Sequence, residues 1–228
     1  LAFMQLLFRY GFLKFQNIFL SLNDWQYALL VLATVLIAAA GYVINDILDQ
    51  ETDYDNDKGN VIVGKLISEK VAYNLYFILN ITGVGIGYYL ASVIHKPSFS
   101  GAFIIISATL YMYATSLKQM LLIGNIVVAL LLSFSVIIIG LFDLLPATYE
   151  GNQTEMGVMF SILIDYAIFA FIINLIRDPE FVSYIHQPEF IGSIQMPSSS
   201  QEGRLLLFTA SHFGDNEIVL VIADITRM

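Results

Sequence analysis

The sequence predicts an all-α fold: a multi-pass transmembrane helical bundle of about five full spans plus a partial first helix, with a short C-terminal tail ending in a β-hairpin. Three observations carry this expectation. Of 228 residues 57% are hydrophobic and only 13% are charged, with a mean hydropathy of +0.74, a balance unlike that of soluble domains. Five windows, roughly 26–44, 71–94, 99–117, 119–142 and 156–176, are long enough to cross about 30 Å of hydrocarbon as helices. Beyond Arg177 the composition changes, and no later apolar piece is long enough to span.

The opening LAFMQLLFRYGFLKF starts without Met and is too short to cross a bilayer. It reads as the tail of a first helix whose beginning is missing, and it lacks the basic start and small-residue cleavage site of a signal peptide. The first four windows contain no charged side chain, and the fifth contains one, Asp165. An ionisable group at mid-helix is a functional candidate by default, or it faces a gap in the bundle. Trp25 and Tyr27, at the start of the first window, read as interfacial anchors. Gly83, Gly85, Gly87 and Ala91 set small residues along the second window, where they let neighbouring helices approach.

The stretch NDILDQETDYDNDKGN, residues 45–60, places six carboxylates directly behind an apolar segment. As a calcium loop beginning at Asp53 it fails at two defining positions: the sixth is Lys58 rather than Gly, and the twelfth is Gly64 rather than Glu. If the preceding helix runs on through residue 53, Asn45, Asp49 and Asp53 drift only about 40° per step along one face, with Asp46 one turn before Asp49. Such a ladder of hard oxygens suits Mg²⁺, which takes one or two carboxylates and completes its shell with water and phosphates. The competing reading is a merely solvated acidic loop, although polar groups so near the end of an apolar helix are expensive. Spacing alone leaves these two open.

With helices alternating through the bilayer, the 45–70 loop, the 118 loop and the segment after 176 share one side. The bias of Lys and Arg places that side in the cytoplasm. The formal charge of −9 repels nucleic acid and anionic headgroups, so a bound polyanion needs a metal between it and the protein. Cysteine is absent, which removes disulfides and thiolate metal sites. His95, His186 and His212 have no metal-ligand spacing and read as loop residues. In the tail, RLLLFTA and EIVLVIADI flank the turn-like SHFGDN, as in a β-hairpin.

NDILDQETD fits N-D-x-x-D-x-x-x-D and resembles the first Asp-rich motif of the UbiA superfamily of intramembrane prenyltransferases, which also follows the second helix there. VIVGKLIS, YATSLKQMLLIGNIVVALL at 113–131 and AIFAFIINLIR at 167–177 extend the likeness over residues 1–177. It is greatest to the bacterial members described as geranylgeranylglycerol-phosphate geranylgeranyltransferase-like. The resemblance implies Mg²⁺-dependent transfer of a prenyl group from a prenyl diphosphate to a lipid or aromatic quinone-precursor acceptor. It implies Asp46, Asp49 and Asp53 at the metal, with Asn45 and Lys118 serving the diphosphate. Lys118 reads equally as a snorkelling anchor at a helix end. It implies residence in the bacterial cytoplasmic membrane, with the Asp-rich loop facing the cytoplasm.

The chain also departs from that pattern. Asn60 stands where the family often has a basic residue, so Lys58 or Lys65 is expected to compensate. After NLIR the family continues into D-x-x-x-D, whereas here Val182 lies four residues after Asp178. Asp178 and Glu180 do not restore the spacing, because Pro179 interrupts it. Residues 178–228 resemble the later half of a histidine-kinase PAS domain. The expected organisation is therefore a truncated UbiA-like domain over 1–177 and a partial PAS-like tail over 178–228, forming a β-hairpin or partly disordered. The rival to an enzyme is a catalytically incompetent membrane remnant or sensory fusion that keeps only the first Asp-rich motif. CDP-alcohol phosphotransferases open their motif with D-G-x-x-A-R, which is not found here, and soluble prenyl diphosphate synthases do not need five spans.

Overall fold

The computed structural model describes residues 1–50, 62–120, 123–177, 191–196, 204–213 and 217–224. Six helices form its body: α1 (Ala2–Gly11), α2 (Asp24–Leu48), α3 (Glu69–Val93), α4 (Ser100–Thr115), α5 (Ile123–Ile139) and α6 (Gln153–Ile176). The five expected spans are present, as Asp24–Leu48, Glu69–Val93, Pro97–Thr115, Ile123–Ala147 and Gln153–Ile176. Each is long and apolar enough to cross a membrane.

Local chemistry sets the helix starts. Asn23 caps α2 through a reciprocal box: Gln26 N donates to Asn23 Oδ1 at 2.8 Å, and Asn23 N donates to Gln26 Oε1 at 2.9 Å. Together they satisfy two backbone donors that a helix start leaves orphaned. Ser68 caps α3 by accepting from Val71 N. At the other end α2 stops at Leu48, a turn short of residue 53. Asp49 is its C-cap, with φ −92 and ψ 2, and its N–H still donates to Asn45 O at 2.9 Å. Asp53 and Lys58 lie outside the described residues, as do Asn60, Asp178, Val182 and His186.

Lipid is as apolar as the helix faces, so close backbone approach and polar contacts, rather than hydrophobicity, choose helix partners in a membrane. α2 packs along α3 and α4, and α5 along α6. Three of the four small residues of α3 serve this packing. A Cβ on Gly83 would lie 2.7 Å from Ile37, one on Gly87 would lie 2.3 Å from the Phe103 ring, and Ala91 is fully buried. Gly85 faces open space. The outward faces remain apolar, with Ile81 and Ile105 mostly exposed, as suits side chains that meet lipid.

One large core joins α1 to α6 and includes Phe8, Tyr27, Leu90, Phe103, Phe142 and Leu163. A small second core, Ile44, Ile47, Val63, Ala72 and Ala114, gathers the C-terminal ends of α2 and α4, the 62–67 loop and the start of α3. It docks the VIVGKLIS segment beside the end of α2. There Gly64 adopts a left-handed φ of +88 and donates to Ile67 O, a conformation that costs glycine little.

Between α5 and α6 the chain makes a π-turn, Gly140–Leu144, then a 3-10 turn at Leu145–Ala147. A π-turn inserts one residue into the helical register and re-aims the side chains beyond it; here it delivers Asp143 into the core. In the tail, residues Ile191–Met196, Arg204–Phe213 and Glu217–Asp224 pair as a three-stranded antiparallel sheet in chain order.

Candidate functional site

The candidate site lies where α2 ends and the turn between α4 and α5 passes over it. Asn45 and Asp49 are four residues apart and so project from one helix face. Asn45 Nδ2 donates to Asp49 Oδ2 at 2.7 Å. The Lys118 ammonium pairs with Asp49 Oδ1 and lies 3.4 Å from Asn45 Oδ1. Lys118 is 73 residues from Asn45 in the chain and sits on the 3-10 turn Leu117–Gln119. Both members of the ion pair are largely sheltered, with 18% of the Lys118 and 23% of the Asp49 side chain exposed.

That turn is fixed by close packing. A Cβ on Gly124 would come within 3.0 Å of Leu117 O and 3.2 Å of Lys118 Cα. Glycine lets α5 start closely beneath the backbone that carries the lysine. Lys118 therefore reaches the acidic end of α2 as an ion-pair partner rather than extending to the surface as a snorkelling anchor.

Asp46 is exposed and engaged in a polar or electrostatic contact of its own, as is Lys65, which projects from the docked 62–67 loop. Among the described residues no group of three or more His, Cys, Asp and Glu side chains is placed to hold a metal ion. The donor set nonetheless fits Mg²⁺. Asn45 Oδ1 and Asp49 Oδ1 are hard oxygens that converge on one cation, the Lys118 ammonium. Magnesium sites commonly draw only one or two carboxylates from the protein.

Beneath this polar group is a cavity of about 320 Å³, within the range of small-molecule pockets. α2, α4 and α5 line most of it, with Leu1: Asn45, Tyr42 and Tyr113 lie toward the Asp49 end, and Thr34, Phe103, Ser135 and Ile138 toward the other. Asn45 thus belongs both to the polar cluster and to the wall of an apolar chamber. A helix carries a polar head site and a greasy channel within three turns, because the residues at 34, 37, 38, 41 and 45 share a stripe at helical spacing.

At the opposite end of the bundle the structure holds a cluster that sequence reasoning missed. Arg9 is 2% exposed and Asp143 is fully buried. Arg9 Nη1 donates to Asp143 Oδ2 at 2.5 Å and Nη2 to Leu22 O at 2.5 Å, while Leu22 N donates to Asp143 Oδ1 at 2.9 Å. Tyr27 belongs to this cluster and is not an interfacial anchor. It is fully buried, its hydroxyl donates to Gln5 O at 2.6 Å, and its ring lies 4.3 Å beneath the Arg9 guanidinium. Trp25 remains 70% exposed, as an anchor would be. The only sequence signal for the pairing was that Arg9 and Asp143 fall on the same side of the alternating helices. Asp165 is half-buried on α6 and lines neither the cavity nor this cluster.

Comparison with known proteins places this architecture. Residues 16–181 match the UbiA prenyltransferase family. The digeranylgeranylglyceryl phosphate synthase of Korarchaeum cryptofilum is 32% identical over 161 residues, covering 69% of this chain and 50% of that protein. The proteins of the same name from Sulfolobus acidocaldarius and Sulfurisphaera tokodaii are 39% and 33% identical, over 44% and 54% of this chain and 34% and 42% of theirs. The chain thus spans half or less of the length of these curated relatives. No solved structure matches significantly.

Proposed function

The chain belongs to the UbiA prenyltransferase family, and from that premise we propose that it binds a prenyl diphosphate with Mg²⁺ and transfers the prenyl group to a lipid or aromatic acceptor. The observation that carries this reading is the junction at Asn45. A polar cluster of two oxygen ligands and an ammonium opens directly onto an apolar cavity, the two halves that a ligand with a charged head and an isoprenoid tail requires. The names of the similar proteins support a phospholipid-type acceptor.

In this reading Asn45, Asp46, Asp49 and Asp53 hold the metal and orient the diphosphate, with Lys58 and Lys65 as further cations from the adjoining loop. Bound Mg²⁺ would supply neutralisation of the leaving diphosphate as the allylic carbon–oxygen bond breaks. Lys118 adds a positive charge at the same place, and its low exposure strengthens that field relative to one in water. The cavity wall of Ile37, Leu110, Leu131 and Ile138 keeps water from the electron-poor allylic carbon until the acceptor attacks it. The Asp49 end is the cytoplasmic end. The organisation into a UbiA-like part over 1–177 and a separate tail over 178–228 belongs to the same proposal.

Release of diphosphate from geranylgeranyl diphosphate in the presence of Mg²⁺ tests it. Asp49→Asn and Asp53→Asn are each expected to lower the rate by roughly a hundredfold or more, the scale of losing one charge-stabilising group. A second reading, binding without turnover, is favoured by Val182 at the place of the second Asp motif's ligand. Tight Mg²⁺-dependent binding of the prenyl diphosphate with no release would decide for it.

A further inference from the structure

We propose that Lys118 is a positioning residue that holds the place of the metal between Asn45 and Asp49, so that a divalent cation and a diphosphate bind together and neither binds well alone. This rests on the metal–diphosphate reading of the site and adds the order and coupling of binding. Both Asp49 oxygens are engaged: Oδ1 is paired with the Lys118 ammonium and Oδ2 accepts from Asn45 Nδ2. Asn45 Oδ1 also faces Lys118 Nζ at 3.4 Å. The ammonium thus sits against an oxygen of each of the other two groups.

A divalent ion that approaches Asp49 Oδ1 meets an ammonium at contact distance, and a like charge there is strongly repulsive in a sheltered site. Retreat is restricted on the backbone side, because Gly124 packs closely under the Leu117–Gln119 turn, where an added Cβ would lie 3.0 Å from Leu117 O. Only the flexible side chain can move, and it needs another acceptor. A diphosphate provides one. The diphosphate draws the ammonium off Asp49, and the vacated carboxylate takes the metal that the diphosphate also ligates. Each ligand therefore raises the affinity of the other by the same factor, as linkage requires. Until both arrive, Lys118 keeps the two protein ligands converged and prevents an uncompensated carboxylate at the mouth of an apolar chamber.

The test uses the full chain in nanodiscs, with Mn²⁺ read by loss of its free-ion EPR signal and radiolabelled inorganic pyrophosphate read by retention. In the wild type, Mn²⁺ alone is expected to bind weakly and pyrophosphate retention to depend on Mn²⁺. Lys118→Met is expected to tighten Mn²⁺ alone by roughly tenfold, since the repelling charge is gone, and to lose most of the mutual enhancement. Lys118→Arg should keep the wild-type pattern, and Lys118→Gln repeats the neutral substitution should the Met variant fold poorly. A lysine that merely braced the site would give weaker, not tighter, Mn²⁺ binding when removed. Mn²⁺ affinity unchanged or weakened in both neutral variants, with binding abolished in Asp49→Asn, would overturn the inference and leave the metal site standing. Mn²⁺ binding indifferent to Asp49→Asn would overturn the metal site itself, and this inference with it.

Discussion

Arg9 carries its charge into a region where only 2% of it is exposed, and what makes this tolerable is the set of partners around it. Asp143, Leu22 O, the more exposed Asp24 at 3.5 Å and the Tyr27 ring engage its terminal nitrogens and its face, while Nε finds no acceptor among the described residues. Removing one partner of a buried pair leaves an uncompensated charge and costs about 3–5 kcal/mol, whereas replacing both with apolar groups is often near neutral. Asp143→Asn should therefore lower the thermal midpoint in detergent sharply, and Arg9→Met with Asp143→Leu should recover most of the loss. A double variant as unstable as the single one would show that the cluster acts through its backbone contacts instead. The pair was not legible in the sequence because its members lie 134 residues apart, and each reads alone as an ordinary loop charge. Tyr27 misled for a related reason: an aromatic beside the start of a span looks like an anchor unless Arg9 above it is known. Asn45 and Asp49 were legible because helical spacing alone puts them on one face.

At the scale of elements, hydropathy was enough to find the five spans among the described residues, but it could not say which helices touch. Small residues partly could. Gly83 and Gly87 do seat α3 against Ile37 and Phe103, yet Gly85 between them contacts nothing. Gly87→Ala would drive a Cβ to 2.3 Å from the Phe103 ring, and an overpacked interface of this kind typically costs about 1–3 kcal/mol. Gly85→Ala should be silent or slightly stabilising, since it only replaces glycine in a helix. Thermal unfolding of the two variants side by side checks the contrast, and Phe103→Leu should partly rescue Gly87→Ala. The end of α2 was overestimated, because periodicity does not register a cap; the helix stops where Asp49 turns its carboxylate to Asn45 and Lys118. The π-turn at Gly140–Leu144 likewise has no period to betray it.

For the whole molecule, the polar cluster and the cavity are separable in principle, and a substitution can test whether the ligand uses both. Leu131→Trp places a large ring in the chamber wall without touching Asn45, Asp49 or Lys118. It is expected to weaken binding of a prenyl diphosphate by roughly a hundredfold or more, an estimate from the few kcal/mol that burial of an apolar chain contributes. Inorganic pyrophosphate with Mn²⁺ should bind that variant as it binds the wild type. Equal loss of both ligands would place the isoprenoid tail elsewhere. The residues that line the chamber were not legible in the sequence, since which helix faces stay apart depends on packing that no single stretch of sequence encodes.

The buried contact between Arg9 and Asp143 also imposes a schedule on synthesis. Chains emerge at about 5–20 residues per second, so the guanidinium precedes its carboxylate by roughly 7 to 27 seconds over the intervening 134 residues. Through that interval the guanidinium has its nearer partners, Leu22 O and the Asp24 carboxylate 3.5 Å from Nη2. α1 thus completes its buried contacts only after the segment that carries Asp143 has been delivered.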